Sequence, residues 1–301
     1  MNKYLIVIAG PTAVGKTKTA IEIAKYLNTE IISCDSRQMF KEMQIGTAVP
    51  SNEQLKKVKH HFIQTISIHD YYNASMFEFD ALDKLEYIYK NKNKVIMTGG
   101  SGLYIDAVIK GIDDLPSIDE EVRRSLQLRF ENEGLESLRK ELKKLDPDYY
   151  NQVDLKNHKR ILKALEVNVM TGKPYSVFLT GKHKHRDFKT VLIVLNRERS
   201  ELHERIEKRI DEMIAGGLVE EAKSVFKYKN NNSLNTVGYK EIFEFLEGKY
   251  SLESAIGLIK RNTRRYARRQ ITWFKRYKEA VWFHPDDIQQ IIKYINETCL
   301  N

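Results

Sequence analysis

A glycine-rich octapeptide directly behind an apolar run constrains this chain more than any other feature of its sequence. Residues 10–17 read GPTAVGKT and fit the pattern G-x-x-x-x-G-K-[ST]. The apolar run at residues 4–8 predicts a buried strand, and residues 18–27 predict a helix with Ile21, Ala24 and Leu27 on one face. A loop of this pattern between a strand and a helix is typical of phosphate binding. The alternative, an unrelated glycine turn, does not explain the flanking elements.

The residues of this loop have distinct expected roles. Its glycines let the backbone curl so that N–H groups surround phosphate oxygens, and the helix N-terminus adds partial positive charge. The side chain of Lys16 is expected to reach a terminal phosphate, and the hydroxyl of Thr17 is expected to ligate a phosphate-bound Mg²⁺. The predicted diphosphate- or nucleotide-binding residues are Gly10, Pro11, Thr12, Ala13, Val14, Gly15, Lys16 and Thr17.

The excess positive charge of the chain is concentrated in one segment. The sequence holds 50 Lys and Arg residues against 41 Asp and Glu, a formal net charge of +9. Residues 260–278 contain nine basic residues and no acid, so the rest of the chain is formally neutral. A helix would place Tyr266, Ala267, Gln270, Ile271, Phe274 and Tyr277 on one side, and Arg261, Arg264, Arg265, Arg268 and Arg269 over much of the remainder. A solvated face normally interleaves acids, so this segment favours polyanion binding.

Composition and cysteine content narrow the class of protein. The 301 residues are 42% hydrophobic, enough for one large domain or a domain with an insertion. Two cysteines, Cys34 and Cys299, indicate neither a disulfide framework nor a zinc module. The first strand is expected to begin at Tyr4, and no apolar run approaches about 20 residues, so we expect neither a targeting segment nor a membrane span. We therefore expect a cytoplasmic protein, which we take to be monomeric.

Strand-like runs alternate with helical patterns along most of the chain. The predicted strands cover residues 4–8, 30–33, 95–98, 190–195 and 281–283. This alternation predicts an α/β fold with a mostly parallel sheet flanked by helices, like that of phosphate-loop NTPases.

The alternation is interrupted between Pro116 and Arg186, where only helical patterns occur. A helix capped by Ser117 or Asp119 is expected to end at Gly134, and others are expected at residues 135–145 and 157–170. We therefore predict an α/β core at residues 1–115 and 186–301, with an all-helical insertion domain at residues 116–185.

Two loops that follow predicted strands carry candidate catalytic groups. Asp35 would lie at the carboxyl end of the sheet, where α/β folds bind ligands, or would cap the next turn, and the sequence leaves both roles open. Residues 99–102 (GGSG) either permit close approach to a ligand, with the Ser101 hydroxyl available, or form only a tight turn. The strand before them does not end in the Mg²⁺-binding acid that kinases of this fold use.

A series of further motifs runs in order along almost the whole chain. They are residues 35–38 (DSRQ), 46–48 (GTA), the pair His60–His61, and residues 99–104 (GGSGLY), 159–167 (KRILKALEV), 171–174 (TGKP), 237–241 (VGYKE) and 264–274 (RRYARRQITWF). Together with the phosphate loop, this series resembles the bacterial tRNA dimethylallyltransferases, the tRNA-isopentenylating (IPP transferase) family. The later motifs are not shared with phosphate-loop kinases.

The resemblance implies a reaction and its partners. A dimethylallyl group would pass from dimethylallyl diphosphate to the N6 amine of the adenosine 3′-adjacent to the anticodon, in tRNAs reading codons that begin with U. The prenyl diphosphate would occupy the usual place of a nucleotide, with Mg²⁺ as cofactor. The expected partners are the tRNA anticodon stem-loop and dimethylallyl diphosphate, and no membrane.

The resemblance also implies roles for single residues. Asp35 would accept the proton of the weakly nucleophilic amine, Ser101 would hold the base, and Lys16 would stabilise the departing diphosphate. Candidates for a further arginine contact to the diphosphate are Arg205 and Arg209. The implied tRNA-binding residues are Asp35, Ser36, Arg37, Gln38, Ser101, Arg123, Lys159, Arg160, Ile161, Leu162, Lys163, Arg264, Arg265, Arg268 and Arg269.

Four residues depart from the family pattern. Phe40, Val49, Ser101 and His158 stand where Tyr, Lys, Thr and Asp, respectively, are more usual. Ser101 keeps the hydroxyl, whereas Val49 removes a charge near the substrate side. His158 is expected to alter a contact of the insertion and not the chemistry.

Three other functions stay open on the residues alone. A phosphate-loop kinase of a nucleotide or small molecule would lack its Mg²⁺-binding acid and leave the basic segment unexplained. An enzyme that prenylates free adenine nucleotides would not need a basic insertion. A nucleic-acid-binding module switched by a nucleotide would leave Asp35 and Ser101 without a role.

Overall fold

The computed structural model of the protein describes residues 2–116 and 119–299. Its six-stranded sheet has the strand order β3-β2-β4-β1-β5-β6, with every neighbouring pair parallel. The strands are β1 (Tyr4–Ala9), β2 (Ile31–Ser33), β3 (His60–His61), β4 (Lys94–Gly99), β5 (Lys189–Leu195) and β6 (Val281–Phe283). The predicted parallel α/β fold is confirmed. Strand β3 is missing from the prediction because two residues are too few to produce a strand pattern.

Helices connect and cover the strands. They are α1 (Lys16–Tyr26), α2 (Asn52–Lys57), α3 (Ala74–Tyr89), α4 (Gly102–Lys110), α5 (Glu120–Leu145), α6 (Pro147–Gln152), α7 (His158–Thr171), α8 (Arg199–Ala215), α9 (Leu218–Ser224), α10 (Tyr239–Leu246), α11 (Leu252–Phe274) and α12 (Ile288–Cys299). Short 3₁₀ helices cover Tyr175–Phe178, Phe226–Tyr228 and Asn232–Leu234. Within the described ranges, none of the helices combines the length and apolarity that a membrane crossing requires.

The central strand β1 is buried on both faces of the sheet. Ile6 and Ile8 belong to a hydrophobic core that includes residues of α1, α8 and α12, whereas Leu5 and Val7 belong to a second core with residues of α3 and α4. Successive side chains of a strand point to opposite faces, so this division places helices on both sides of the sheet. Helix α11 contributes to the second core through Phe274, which is fully buried.

The chain divides into two compact units. Met1–Lys110 and His185–Asn301 form the first unit, and Gly111–Lys184 form the second. The described part of the second unit contains helices and no strand. Near the two ends of this unit, Asp113 Oδ1 accepts hydrogen bonds from the backbone and hydroxyl of Thr180, and Lys184 pairs with Asp114 at 2.7 Å. The predicted insertion limits, residues 116 and 185, lie within a few residues of these ends.

Local capping signals set the helix boundaries in the second unit. Asp119 caps α5 by accepting the Glu121 N–H at 2.7 Å, and Asn157 caps α7 through the Arg160 N–H at 3.3 Å. Gly134 interrupts α5 with φ 76° and ψ 179°, at the predicted break. The alternative cap, Ser117, lies outside the described residues.

Candidate active site

The loops after β1, β2 and β4 meet at one edge of the sheet. Strand β1 is bonded to β4, and β4 is bonded to β2, so the carboxyl ends of these parallel strands lie side by side. The phosphate loop and Asp35 line a common cavity of about 410 Å³. Ser101 adjoins this cavity, because it follows the lining residues Thr98 and Gly99 and its Oγ accepts the N–H of Ser36, the neighbour of Asp35.

The backbone of the phosphate loop depends on two glycines. Gly10 has φ +155°, and a Cβ there would meet the Leu195 carbonyl oxygen at 2.7 Å. Gly15, at the start of α1, has φ +115°. Side chains other than glycine rarely adopt such angles, so both positions require glycine. Within the loop, the Lys16 ammonium donates to the Pro11 carbonyl at 2.8 Å.

The electrostatic environment of Lys16 suits a phosphate ligand. Burial lowers the pKa of Lys16 to about 8, an effect that the Asp35 carboxylate opposes and the Arg209 guanidinium reinforces. A phosphate placed against this ammonium would supply the negative charge that the site lacks. The loop is therefore prepared for an anion.

Both predicted arginines of α8 reach the phosphate loop side of the cavity. Arg205 donates through Nε to the Ala13 carbonyl at 2.9 Å, and Arg209 approaches the Thr47 carbonyl at 3.4 Å. Both side chains line the cavity. Burial lowers the pKa of Arg209, and the Asp35 carboxylate opposes that shift. Arg205 and Arg209 thus add two cations to the one that Lys16 carries, and Lys208 of the same helix also lines the cavity.

Asp35 both caps a turn and faces the cavity. Its Oδ1 accepts the backbone N–H groups of Arg37 at 2.9 Å and Gln38 at 3.3 Å. Its Oδ2 has no hydrogen-bond partner among the residues that the structure describes. The two roles left open by the sequence therefore coexist, because each uses a different oxygen.

Ser101 is held in a small hydroxyl cluster. Its Oγ accepts the Ser36 N–H at 3.0 Å and donates to Ser36 Oγ at 3.1 Å. Tyr266, on α11, lines the cavity, and burial raises the pKa of this tyrosine to about 12. The phenol therefore stays neutral at physiological pH and available as a hydrogen-bond partner.

The side chains of Arg37 and Gln38 donate hydrogen bonds to backbone carbonyls elsewhere in the chain. Arg37 Nη1 donates to the carbonyls of Asn232 and Ser233, each at 2.9 Å. Gln38 Nε2 donates to the carbonyls of Thr47 at 3.1 Å and Ala48 at 3.0 Å. Of these two predicted tRNA-binding residues, Gln38 lines the cavity. Arg37 anchors the loop to the segment containing the 3₁₀ helix Asn232–Leu234.

The residues around Thr17 suit a phosphate-bound Mg²⁺ and not a site made of protein ligands alone. Thr17 lines the cavity. In residues 2–116 and 119–299, no group of three or more His, Cys, Asp or Glu side chains could hold a metal ion. Mg²⁺ prefers oxygen ligands and commonly takes only one or two from protein, with phosphates and water supplying the rest. The donor set here fits that arrangement.

Two polar contacts on the phosphate loop were not predicted. Arg197, which is buried, donates through Nε to the Val14 carbonyl at 2.9 Å. Gln270, predicted only as a member of a helix face, accepts the Thr12 N–H at 2.8 Å. Both partners are more than 180 positions away in the sequence, so no local pattern indicates these contacts.

Most of the basic segment, residues 260–274, lies in α11, and its charges in this helix divide into paired and exposed groups. Acids on α8 pair with two of its cations: Glu207 with Arg264 and Asp211 with Lys260, each at 2.6 Å. The exposed arginines of the helix are Arg261, Arg265, Arg268 and Arg269. Arg269 lies over the Tyr266 ring, with 5.8 Å between Cζ and the ring centroid.

The predicted tRNA-binding residues of the helical unit also fall into two groups. Lys159 and Arg160 are exposed at the start of α7, whereas the side chains of Ile161 and Leu162 are buried in the core of this unit. A direct RNA contact in this region is therefore expected from the two cations and not from the two apolar side chains.

Glu166, on α7, pairs with one cation of α5 and one of its own helix. Arg123 approaches it at 3.3 Å and Lys163 at 3.9 Å. The ring of His158, one of the departures from the family pattern, stacks on Phe130 with 4.9 Å between centroids. Arg123 and Lys163 are predicted to contact tRNA. In this structure both side chains already interact with the Glu166 carboxylate.

The fold and the site define a phosphate-loop α/β protein that places an acid and a hydroxyl beside its anion site. The family model described as IPP transferase matches residues 38–277 of the chain. The chain is 52% identical to tRNA dimethylallyltransferase 1 of Phocaeicola vulgatus, with 98% of this chain and 99% of that protein covered. It is 51% identical to the tRNA dimethylallyltransferase of Christiangramia forsetii, with 98% of each covered.

Solved structures give the same result. The crystal structure of the full-length tRNA isopentenylpyrophosphate transferase from Bacillus halodurans is 35% identical with a TM-score of 0.71, covering 99% of this chain and 96% of that chain. A eukaryotic dimethylallyltransferase acting on tRNA is 27% identical with a TM-score of 0.75, covering 90% and 69% respectively. The chain belongs to the IPP transferase family, and the family resemblance of its motifs is confirmed.

Proposed function

We propose that this chain transfers a dimethylallyl group from dimethylallyl diphosphate to N6 of the adenosine 3′-adjacent to the anticodon, in tRNAs that read codons beginning with U. The products are N6-isopentenyladenosine in tRNA and diphosphate. The observation that carries this proposal is the shared cavity of Lys16 and Asp35, which joins an anion site to a carboxylate with one uncommitted oxygen.

The cationic end of the cavity serves the diphosphate. An allylic diphosphate reacts by loss of diphosphate, which gains negative charge as the carbon–oxygen bond breaks. The loop amides, Lys16, Arg205 and Arg209 are placed to stabilise that charge in a partly buried site. When bound, Mg²⁺ supplies further neutralisation of the diphosphate, with Thr17 as its expected protein ligand.

The acidic end serves the adenine amine. The lone pair of N6 is delocalised into the ring, so attack requires a base to take the proton as the new carbon–nitrogen bond forms. Asp35 Oδ2 is the available acceptor, because Oδ1 is occupied by the turn. Ser101, with Tyr266 on the cavity wall, would hydrogen-bond the amine or a neighbouring base edge.

The exposed arginines of α11 serve the RNA backbone. A base cannot react while it is stacked, so the target adenosine must leave the anticodon loop and enter the cavity. Bases of RNA loops are already partly unstacked, which lowers that cost. Arg261, Arg265, Arg268 and Arg269 carry their charges on the helix that also supplies Tyr266 to the cavity.

Further parts of the proposal concern the helical unit and the setting of the reaction. Arg123, Lys159, Arg160 and Lys163 are proposed as additional tRNA contacts. We expect the enzyme to act as a monomer and in the cytoplasm.

A transfer assay tests the proposal against its alternatives. Single-turnover reactions would combine radiolabelled dimethylallyl diphosphate and Mg²⁺ with one of three acceptors: an adenosine anticodon hairpin, the same hairpin with guanosine, or AMP. Label on the adenosine hairpin alone is expected. Label on AMP would instead identify a free-nucleotide enzyme, and consumption of ATP with no label transferred would identify a kinase.

A further inference from the structure

One side chain joins the phosphate loop to the loop after β4. Gln270 is only 6% exposed. Its Oε1 accepts the Thr12 N–H at 2.8 Å, and its Nε2 donates to the Gly100 carbonyl at 2.9 Å. Both polar atoms of the amide are therefore used, and each binds the backbone of a different loop.

The fit around this amide is tight. A Cβ added to Gly100 would lie 2.3 Å from Gln270 Nε2, closer than any non-bonded contact allows. An amide is also the side chain that offers a donor and an acceptor on one rigid plane, whereas glutamate lacks the donor and alanine lacks both. The close contact between positions 100 and 270 therefore requires glycine at position 100, and the hydrogen-bond pattern requires glutamine at position 270.

The linked loops hold opposite ends of the proposed reaction. Thr12 belongs to the loop that receives the diphosphate. Gly100 immediately precedes Ser101, which is hydrogen-bonded to Ser36 and which the proposed reaction assigns to the base. One turn earlier on α11, Tyr266 lines the same cavity as Gln270. The separation of the two loops at this point is therefore fixed by α11.

We propose that Gln270 is a positioning residue, which sets the distance between the departing diphosphate and the adenine amine by tying the Thr12 and Gly100 backbones together. This inference rests on the proposed prenyl transfer. Gln270 takes no proton and forms no bond in the reaction. It acts through the two loops, so its loss disturbs alignment in the transition state more than binding of either substrate.

Variants at both ends of the link test this role. In Q270E the contact with Thr12 can persist while the donor to Gly100 is lost. We expect kcat to fall about 10²-fold, as for a small misalignment of reacting atoms. The KM for each substrate should stay within about threefold, because binding contacts remain. G100A should give the same pattern, since its methyl group displaces the amide.

A double-variant cycle separates this role from two unrelated defects. In Q270A the atom that the new methyl group would meet is absent, so G100A should add less than about a twofold loss in that background. Multiplicative losses from G100A and Q270A would overturn the proposal. Unchanged kcat in Q270E, or a loss confined to KM, would also overturn it.

Two controls complete the experiment. T272A removes a hydrogen bond within the same helix, from the Thr272 hydroxyl to the Arg268 carbonyl, and should leave kcat unchanged. Thermal melting of Q270E should match that of the unmodified protein, so that a lower kcat is not a loss of folded enzyme. If the unmodified protein transfers no label to the hairpin, the proposed function itself fails. If the unmodified protein transfers label and Q270E is equally active, the proposed function stands and only the positioning role of Gln270 is refuted.

Discussion

The backbone N–H of Arg37 donates to Asp35 Oδ1 at 2.9 Å, which commits one carboxylate oxygen to the turn after β2. The N–H of Gln38 reaches the same oxygen at 3.3 Å. The second oxygen is left for a ligand, in a cavity that also holds Lys16. One side chain thus orders its own loop and presents a proton acceptor.

Substitutions of Asp35 should separate these two functions. D35N keeps an oxygen for the turn but is a poor base, so single-turnover prenyl transfer should fall about 10²-fold or more with little change in stability. D35A should lose the same activity and, in addition, about 1 kcal/mol of unfolding free energy, because the cap is removed. Urea denaturation and the transfer assay measure the two effects. Near-normal transfer by D35N would exclude Asp35 as the base.

The lowered pKa of Lys16 predicts a pH dependence of diphosphate binding. With a pKa of about 8, the ammonium is charged below pH 8 and neutral above it, so the affinity for Mg²⁺-pyrophosphate should weaken between pH 7 and pH 9. K16R keeps its charge throughout this range and should show a flatter profile, which also corrects for titration of the ligand. Calorimetry at three pH values makes the comparison. Parallel profiles for the two proteins would contradict the prediction.

The same shift has a consequence for stability. Burial lowers the pKa of Lys16 from 10.5 to about 8, so between these values the unfolded chain binds more protons than the folded one. Linkage then requires the unfolding free energy to rise with pH in this window. K16M lacks the titrating group, and denaturation at pH 7.5 and pH 10 should show a smaller rise for it. An equal rise in both proteins would show that Lys16 is not responsible.

The exposed arginines of α11 should govern the salt dependence of RNA binding. Removing one phosphate contact lowers the slope of log K against log salt by roughly 0.7 to 0.9, so R265A and R268A should each weaken hairpin binding and flatten this slope. K25A removes an exposed charge from α1 and serves as the control. Filter binding between 50 and 200 mM salt measures the slopes. A K25A effect as large as that of R268A would indicate a non-specific charge effect.

Glu221 should stabilise the segment that precedes α2. Its carboxylate accepts the backbone N–H groups of Gln44 at 3.0 Å, Ile45 at 2.7 Å and Gly46 at 2.8 Å, and the hydroxyl of Tyr239 at 2.6 Å. E221Q turns one acceptor into a donor facing an N–H group, so we expect a loss of about 1.5–3 kcal/mol in unfolding free energy. Y239F removes one donor only and should cost about 1 kcal/mol.

The effect of E221Q should extend to catalysis. The carbonyls of Thr47 and Ala48, just beyond the segment held by Glu221, orient the Gln38 amide. Transfer by E221Q should therefore fall while Y239F stays nearly active. Chemical denaturation and the transfer assay provide the two readouts. If Y239F were destabilised as strongly as E221Q, the three hydrogen bonds from backbone N–H groups to Glu221 would not be the main source of its stabilising effect.

The features that the sequence predicts well are those encoded locally. The phosphate loop needs glycine at positions 10 and 15, where φ is +155° and +115°, and these requirements appear directly as a motif. Asp119, Asn157 and Gly134 set helix ends or breaks through contacts or angles within a few residues. Strand β3, with two residues, carries too little pattern to be recognised.

The sequence by itself determined the phosphate loop, the parallel α/β core, the helical character of the insertion and the family, because each depends on patterns that extend over neighbouring residues. The tertiary structure decided how the site is held together. It showed that Asp35 divides its oxygens between a turn and the cavity, and that Gln270 joins two loops 170 positions or more from it. Such contacts exist only after the strands have aligned their carboxyl ends and α11 has packed beside them. Their partners are backbone groups, which every residue carries, so no side-chain pattern marks them in advance.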